Sequence, residues 1–427
     1  MLNNLNLKIL TTKLFLFISS IIGFFYFTSI FKLKKNYDYM FEPLLCWSIV
    51  LITFILIRIF SQKFNNQKLL SKSYFVEFRI TSFLNKSYFF VRIITFFTFI
   101  VALFFVFKYG IAEARYLYFI DAQKIYILPY MRELIEIILL PITIISESVL
   151  IWDFKKKSIY RGRIIHFLFL TFLNFGRFYL YYGLFFCLLR FLIIKNMRIF
   201  PRLSFKKFNK KINQIITFIY KKPFNSLPLI FIISYIFYKL INSFGVSNIT
   251  TNILRNIIRY FEILVFNYHL VGFGIFFSIS DQYSNGIKEL SSCTLVSPTY
   301  HYFRVFIAKL GFNIPLCEDI LSQPLGTPRY LEGLDHTYNA FGTNLIRWFF
   351  SFSHLGTVML GVFLGLLCSL IFLRLIYAPV TIIGFFLLYF GLFTYNIGSP
   401  FIIFSLISLL IIPKLFIKTT FLKRVIS

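Results

Sequence analysis

The sequence predicts an all-α, polytopic membrane protein that ends in two long, tilted membrane helices. Three observations predict this class. Hydrophobic residues make up 58% of the 427 residues, including 61 phenylalanines, whereas charged residues make up only 14%. Several apolar runs reach the length of about 20 residues that a helix needs to cross a bilayer. Basic residues lie in short clusters at the ends of these runs, as the positive-inside rule requires.

Nine apolar runs are the predicted spans: 14–31, 44–60, 88–107, 134–152, 164–193, 227–241, 257–279, 345–376 and 380–412. No small-residue cleavage pattern follows the first run, so we predict a retained helix rather than a signal peptide. Each of the last two runs would be about 45–50 Å long as a straight helix, against a hydrocarbon core of about 30 Å. Each must therefore tilt or bend, and together they form a predicted hairpin over residues 344–412.

The predictions divide the chain into residues 1–250, with membrane helices and basic loops, and residues 251–427, which contain the hairpin. The densest basic cluster lies in the first region and contains no acidic residue. It comprises Lys195, Arg198, Arg202, Lys206, Lys207, Lys210, Lys211, Lys221 and Lys222. Such a cluster binds anionic lipid such as cardiolipin. Because the basic residues flank apolar runs, we do not expect nucleic acid as a partner.

The run at residues 344–376 contains an arginine and a histidine, Arg347 and His354. An arginine in a lipid-spanning segment costs about 3 kcal/mol or more. On a straight helix, one stripe contains Asn344, Arg347, Ser351, His354, Val358, Gly361 and Gly365. This stripe predicts a helix that holds a cation beside a polar path and lets another helix approach closely. The simpler alternative is that Arg347 extends to the membrane interface.

Two other apolar segments contain ionisable residues. Residues 131–152 include Glu133, Glu136 and Glu147, with Pro141 in the middle, which predicts a kink. This segment lies along the surface, packs inside an assembly, or is a buried structural helix with paired acids.

Glu262 and His269 are seven residues apart and share one helix face. They are proton carriers or partners of arginines in neighbouring helices.

Several kinds of site are not predicted. The five cysteines lack CxxC spacing, so they indicate neither a zinc site nor a disulfide framework. We find no nucleotide-binding loop and no hydrolase motif. We therefore expect no metal and no cofactor, and no nucleotide site within this chain.

The final hundred residues carry a recognisable pattern. The letters LEGLD at residues 331–335 precede NLIRWFFS at residues 344–351, which contains Arg347. LYF at residues 388–390 and Asn396 follow in the second run. This pattern resembles subunit a of the F-type ATP synthase. There, a tilted helix hairpin with a central arginine wraps a rotating ring of small hairpin subunits.

The resemblance implies a proton-translocating stator subunit that offers two half-channels to the carboxylates of the ring. Arg347 is then the essential cation facing a rotor carboxylate. The implied half-channel residues are Glu332, Asp335, Ser351, His354, Tyr389 and Asn396. Tyr389 stands where the family often has a carboxylate, and Glu262 or His269 is a possible replacement relay. The expected partners are the ring, other stator subunits and anionic lipid.

The resemblance also implies the mitochondrial inner membrane, and the abundance of Phe, Ile, Tyr, Lys and Asn indicates an A/T-rich, organellar coding genome. The rival prediction is a structural or proton-translocating subunit of a respiratory-chain complex. The partner of Arg347 distinguishes a structural subunit from a proton channel. A structural helix pairs the arginine with an acid of its own chain, whereas a proton channel presents it to another subunit.

Overall fold

The computed structural model of the chain is almost entirely helical. It describes residues 4–32, 39, 41–63, 73–119, 134–152, 160–173, 178–196, 276, 300, 303–304, 307–308, 311–312, 329–330, 337–338, 344–374, 377–391, 397 and 399–411. The helices are α1 (Asn4–Lys32), α2 (Glu42–Lys63), α3 (Ser73–Phe119), α4 (Leu140–Leu150, preceded by a π-helical turn, Leu134–Leu139), α5 (Tyr160–Leu173), α6 (Phe178–Asn196), α7 (Asn344–Leu373), α8 (Ala378–Phe390) and α9 (Pro400–Ile411). Two short strands, β1 (Arg329–Tyr330) and β2 (Thr337–Tyr338), pair antiparallel.

Within the described part of the chain, four helical segments are long and apolar enough to cross a membrane. They are Lys8–Phe27, Glu42–Ser61, Lys86–Gly110 and Asn344–Leu373. The prediction of a helical protein with several membrane-length apolar helices is therefore confirmed. The predicted spans 227–241 and 257–279 lie outside the described residues, apart from Phe276.

Helices α1 and α2 pack side by side and run in opposite directions. The rings of Phe15 and Phe54 stack, with centroids 3.6 Å apart. Nearer the other end of the pair, the indole N–H of Trp47 donates to the Ser19 hydroxyl at 2.7 Å. Such a hydrogen bond satisfies two polar groups that would be costly in an apolar surrounding.

The predicted span 164–193 is wrong, because the structure divides it into α5 and α6. The rings of Phe167 and Phe186 stack with centroids 6.2 Å apart. A Cβ placed on Gly183 would lie only 2.7 Å from the Phe167 ring. In one straight helix, residues 16 or 19 apart would be separated by about 24 Å or more. The run therefore folds as two antiparallel, closely packed helices.

The centre of the protein is formed by α4 and α8, whose residues are almost all buried. Pro141 begins α4 directly after the π-helical turn, because proline lacks the amide proton that an interior helical position needs. Helix α9 reaches this centre, where the Ser405 hydroxyl donates to the Pro141 carbonyl at 3.4 Å. The segment at residues 131–152, for which the sequence left three locations open, is thus buried within the chain over its described part.

The second long C-terminal helix is not confirmed. Helix α8 ends at Phe390, with Gly391 as its C-cap, and α9 begins at Pro400. Helix α8 does return antiparallel along α7, because the Ile371 amide donates to the Thr381 hydroxyl at 3.1 Å. A Cβ on Gly384 would lie 2.8 Å from the Cys368 amide nitrogen. Two close-packed helices are present, but the second is only 13 residues long.

Helix α7 folds back on itself at Ser353. This serine has φ +53° and ψ −141°, a backbone conformation that favours glycine. The rings of Trp348 and Phe363 stack with centroids 6.0 Å apart, although a straight helix would separate these residues by about 22 Å. A Cβ on Gly356 would overlap the Trp348 carbonyl. We call residues 344–352 the short arm and residues 354–373 the long arm.

A row of small residues on the long arm packs against α2. The row is Thr357, Gly361, Gly365 and Ser369, spaced four residues apart. A Cβ on Gly361 would lie 2.8 Å from the Cβ of Ile49, and one on Gly365 would lie 2.6 Å from the Cβ of Thr53. Because both contacts advance along the two helices together, α2 and the long arm are parallel. The predicted close approach of another helix is confirmed.

Candidate functional site

The predicted stripe of seven residues on one straight helix is wrong, because the turn at Ser353 divides it. Asn344 and Arg347 lie on the short arm, whereas Gly361 and Gly365 lie on the long arm and pack against α2. A stripe calculated at 100° per residue is valid only while the helix continues. The candidate site must therefore be built from the two arms separately.

Asn344 fastens the short arm to the end of α8. Its amide N–H donates to the Gly391 carbonyl at 3.0 Å, and its side-chain amide donates to the Leu387 carbonyl at 3.5 Å. Its side-chain oxygen accepts from the Ile397 amide at 3.4 Å. The carbonyl groups at a helix C-terminus lack partners within the helix, so this asparagine stabilises the end of α8.

Arg347 lies one turn further along the short arm and is only 7% exposed. The guanidinium is thus inside the chain. Arginine keeps its proton in any protein environment, so the short arm carries a permanent positive charge into the helix bundle. Among the described residues that the resemblance assigns to the site, Arg347 is the one that is buried.

His354 follows the turn at Ser353 and contacts a carboxylate that the sequence analysis did not single out. Its imidazole Nδ1 is hydrogen-bonded to Oε1 of Glu42. The side chain of His354 is 66% exposed, whereas that of Glu42 is 7% exposed. The pair therefore joins an imidazole that is exposed in the isolated chain to a buried acid.

Two further features hold the Glu42 carboxylate. The Thr357 hydroxyl donates to Oε2 at 2.5 Å. Glu42 is also the first residue of α2, where the exposed amide groups of a helix favour a negative charge. Glu42 thus links the first turn of α2 to the start of the long arm, and its charge is well supported although it is buried.

Aromatic rings surround this pair. The ring of Phe349, on the short arm, lies edge-on to Tyr39 at 5.0 Å and to His354 at 5.8 Å. Phe276 also contacts Phe349, with centroids 5.6 Å apart. Phe349 therefore connects the arm that carries Arg347 with the side of His354 away from solvent.

The remaining described site residues lie on different elements. Ser351 is on the short arm, one turn after Arg347, and its hydroxyl has no hydrogen-bond partner among the described residues. Tyr389 is on α8, where its ring stacks on Phe185 of α6 at 5.4 Å. Because Asn344 binds Gly391, the end of α8 that holds Tyr389 lies against the short arm.

Five predicted residues lie outside the described part of the chain: Glu262, His269, Glu332, Asp335 and Asn396. Glu332 and Asp335 fall in sequence between the paired strands β1 and β2. Their roles remain predictions. Within the described ranges, no three His, Cys, Asp or Glu side chains are grouped as a metal site would need.

No known family model matches the chain, and neither a curated protein nor a solved structure matches it. The resemblance to subunit a therefore depends on the residue pattern of the C-terminal region. What the structure adds is the pairing of Glu42 with His354, beside the arm that carries Arg347.

Proposed function

We propose that this chain is the proton-translocating stator subunit of an ATP synthase membrane sector in the mitochondrial inner membrane. The observation that carries the proposal is the contact between exposed His354 and buried Glu42 at the turn between the two arms. Histidine is the side chain whose ordinary pKa lies nearest neutrality. A histidine that meets water on one side and a carboxylate on the other is suited to passing protons inward.

In this proposal Glu42 supplies the carboxylate that Tyr389 does not. Tyrosine has an ordinary pKa near 10 and is a poor proton carrier at neutral pH. The proton passes from water to His354 and then to Glu42, which accepts it on Oε1. Loss of the proton restores the carboxylate that Thr357 and the start of α2 stabilise.

Arg347 provides the fixed positive charge of the proposed motor. A cation beside a ring carboxylate favours the ionised carboxylate, so the ring releases its proton there. Away from the cation, a carboxylate that faces lipid prefers to be protonated. Because Arg347 is 7% exposed in the isolated chain, the proposal requires the short arm to open toward the ring on assembly.

The second candidate is a structural or proton-translocating subunit of a respiratory-chain complex. The burial of Arg347 favours it, because a structural arginine is held inside its own fold. The many exposed aromatic side chains of α3, among them Phe89, Phe90, Phe97, Phe104 and Phe107, suit either lipid or neighbouring subunits.

The complex that contains the chain distinguishes the two candidates. We expect mild-detergent purification of the tagged, full-length chain to recover the rotor ring and the ATP-hydrolysing subunits. Mass spectrometry identifies them, and ATP hydrolysis by the purified complex checks that it is intact. A tagged respiratory-complex subunit from the same membranes is the control. Recovery of respiratory subunits without the ring would contradict the proposal.

Replacing Glu42 tests its role in proton transfer. We expect Glu42→Gln to lower passive proton flux through the reconstituted membrane sector about tenfold, because an amide cannot take up and release the proton. Glutamine keeps the size of the side chain and a hydrogen bond to Thr357. We expect His354→Gln to lower the flux by a similar factor.

Thr357→Val is the matched control. It removes one hydrogen bond to Glu42 but leaves both ionisable groups in place, so the flux should fall less than in the other two variants. A pH-sensitive dye inside the vesicles measures the flux, and the amount of assembled complex is determined for each variant. Wild-type flux in correctly assembled Glu42→Gln would show that this acid carries no protons.

A further inference from the structure

A second polar cluster lies where α3, α4 and α5 meet, apart from the site at the turn. Its members are Tyr88 and Arg92 on α3, Thr143 and Glu147 on α4, and His166 on α5. Tyr88, Glu147 and His166 are each only 2% exposed, and Thr143 is fully buried. Ionisable groups inside apolar helices are costly and are a functional-site hypothesis by default.

The hydrogen bonds fix which ring nitrogen of His166 carries the proton. The Thr143 hydroxyl donates to the Leu139 carbonyl at 2.6 Å, so its oxygen is left to accept. Nε2 of His166 lies 2.9 Å from that oxygen and must therefore be the N–H donor. Nδ1 then presents a lone pair.

That lone pair is unusual. Nδ1 of His166 is buried and has no hydrogen-bond partner among the described residues. The hydroxyl of Ser146, one turn after Thr143 on α4, is in the same condition. Buried polar groups normally have a partner, and a water molecule commonly supplies it. The unpartnered Nδ1 thus indicates a small polar ligand, such as a water molecule, that is able to bring a proton to it.

A negative charge lies one aromatic ring away. The Tyr88 hydroxyl donates to Oε1 of Glu147 at 2.8 Å, and the Tyr88 and His166 rings meet edge-to-face at 5.3 Å. The guanidinium carbon of Arg92 lies 4.3 Å from the Tyr88 ring centroid. By its negative charge Glu147 favours a proton on His166, whereas burial and the guanidinium of Arg92 oppose it.

Other charged groups near His166 also affect how readily its imidazole binds a proton. Arg190 donates through Nη1 to the Leu150 carbonyl at 2.8 Å, at the end of α4. The charged side chains described on the elements packed around His166 are Lys86, Arg92, Lys108, Glu136, Glu147 and Arg190. Glu147 and Arg92 both contact Tyr88, the ring that meets His166, and Glu147 is the acid of this pair. The cluster also lies within the first two turns of the segment Lys86–Gly110, near one end of a membrane-length helix.

We propose that His166 and Glu147 form a second proton-binding site, which exchanges one proton with a buried water. The proton adds to the lone pair of Nδ1, and the resulting imidazolium keeps its Nε2–H bond to Thr143. The proton leaves again from Nδ1, so no other bond changes. This site does not depend on Arg347 or Glu42, and either proposal can fail without the other.

Nitrogen-15 NMR of the histidine-labelled, full-length chain in lipid bilayers tests the site. We expect the His166 signal, assigned by its loss in His166→Gln, to be the neutral Nε2–H tautomer at pH 8. On acidification it should convert reversibly to imidazolium while the fold remains intact. In Glu147→Gln the midpoint should fall by about one pH unit or more, which is a tenfold weaker affinity for the proton.

Glu136→Gln is the matched control, because it removes an acid that precedes α4 and leaves the hydrogen bonds of the cluster in place. Its midpoint should stay near that of the wild type. If Glu147→Gln does not fold, Tyr88→Phe provides the second test. It removes the hydroxyl that donates to Glu147, and it should lower the midpoint of His166 protonation by a smaller amount. A His166 that stays neutral until unfolding, or a midpoint unchanged in the folded variant, would overturn the proposal.

Discussion

Arg347→Ala should abolish proton-driven ATP synthesis by the complex that contains this chain. In the proposed function, alanine removes the permanent charge that would favour an ionised ring carboxylate, and no other cation lies on the short arm. We expect the rate of ATP synthesis to fall at least tenfold, which corresponds to an activation free energy that is higher by about 1.4 kcal/mol. ATP synthesis by reconstituted vesicles under an imposed proton gradient measures it, with the assembled complex quantified in parallel.

Arg374→Ala is the matched control for this experiment. Arg374 is exposed and follows the last residue of α7, so its loss should leave synthesis close to the wild-type rate. Arg347→Lys should also lose most activity, because a buried lysine gives up its proton far more readily than arginine does. If Arg347→Ala retained coupled ATP synthesis, that result would contradict the assignment of Arg347 as the motor cation.

Gly365→Leu should separate α2 from the long arm and destabilise the protein strongly. A Cβ at this position already lies 2.6 Å from the Cβ of Thr53 and 3.0 Å from the Val50 carbonyl. These neighbours are not the ends of flexible side chains, so the backbones must move apart. Overpacking of this kind costs about 1–3 kcal/mol. The midpoint of thermal unfolding in detergent should fall accordingly.

Val362→Leu provides the comparison, since Val362 is 38% exposed and a larger side chain there meets no packed neighbour. Its unfolding midpoint should match that of the wild type. Gly365→Leu should in addition lower proton flux, because Glu42 begins α2 and His354 begins the long arm. An unchanged midpoint in Gly365→Leu would contradict the close packing of the two helices.

The positions of most described helices could be predicted from the sequence. Apolar runs of about 20 residues with basic ends define the segments that lipid can accept, and such runs locate α1, α2 and the apolar part of α3. The small residues Gly361 and Gly365 also predicted a close helix contact correctly. These features depend on local composition, which a single sequence displays.

The points where apolar runs reverse could not be predicted in the same way. Lipid and a protein interior are both apolar, so hydropathy does not distinguish one long helix from two packed ones. The run at residues 164–193 contains Asn174 and Gly176, residue types common at helix ends, and this was a signal that could have been used. Ser353 gives no such signal, because its backbone conformation is one that serine seldom adopts.

The pairing of Glu42 with His354 was missed for a different reason. The two residues are 312 positions apart. An acid followed by proline at the start of an apolar run is explained well enough by helix initiation. Its second role depends on where the long arm of α7 packs, and no local pattern in the sequence contains that information.

The parallel packing of α2 with the long arm has a consequence for sidedness. Parallel helices enter a bilayer from the same face, so Glu42 and His354, which lie at the starts of α2 and the long arm, are near the same face of the bilayer. A histidine-modifying reagent that cannot permeate lipid should therefore reach His354 in vesicles of one orientation and spare it in the other. In the proposed function, protons therefore enter the His354–Glu42 pair from one compartment, and a separate path serves the other compartment.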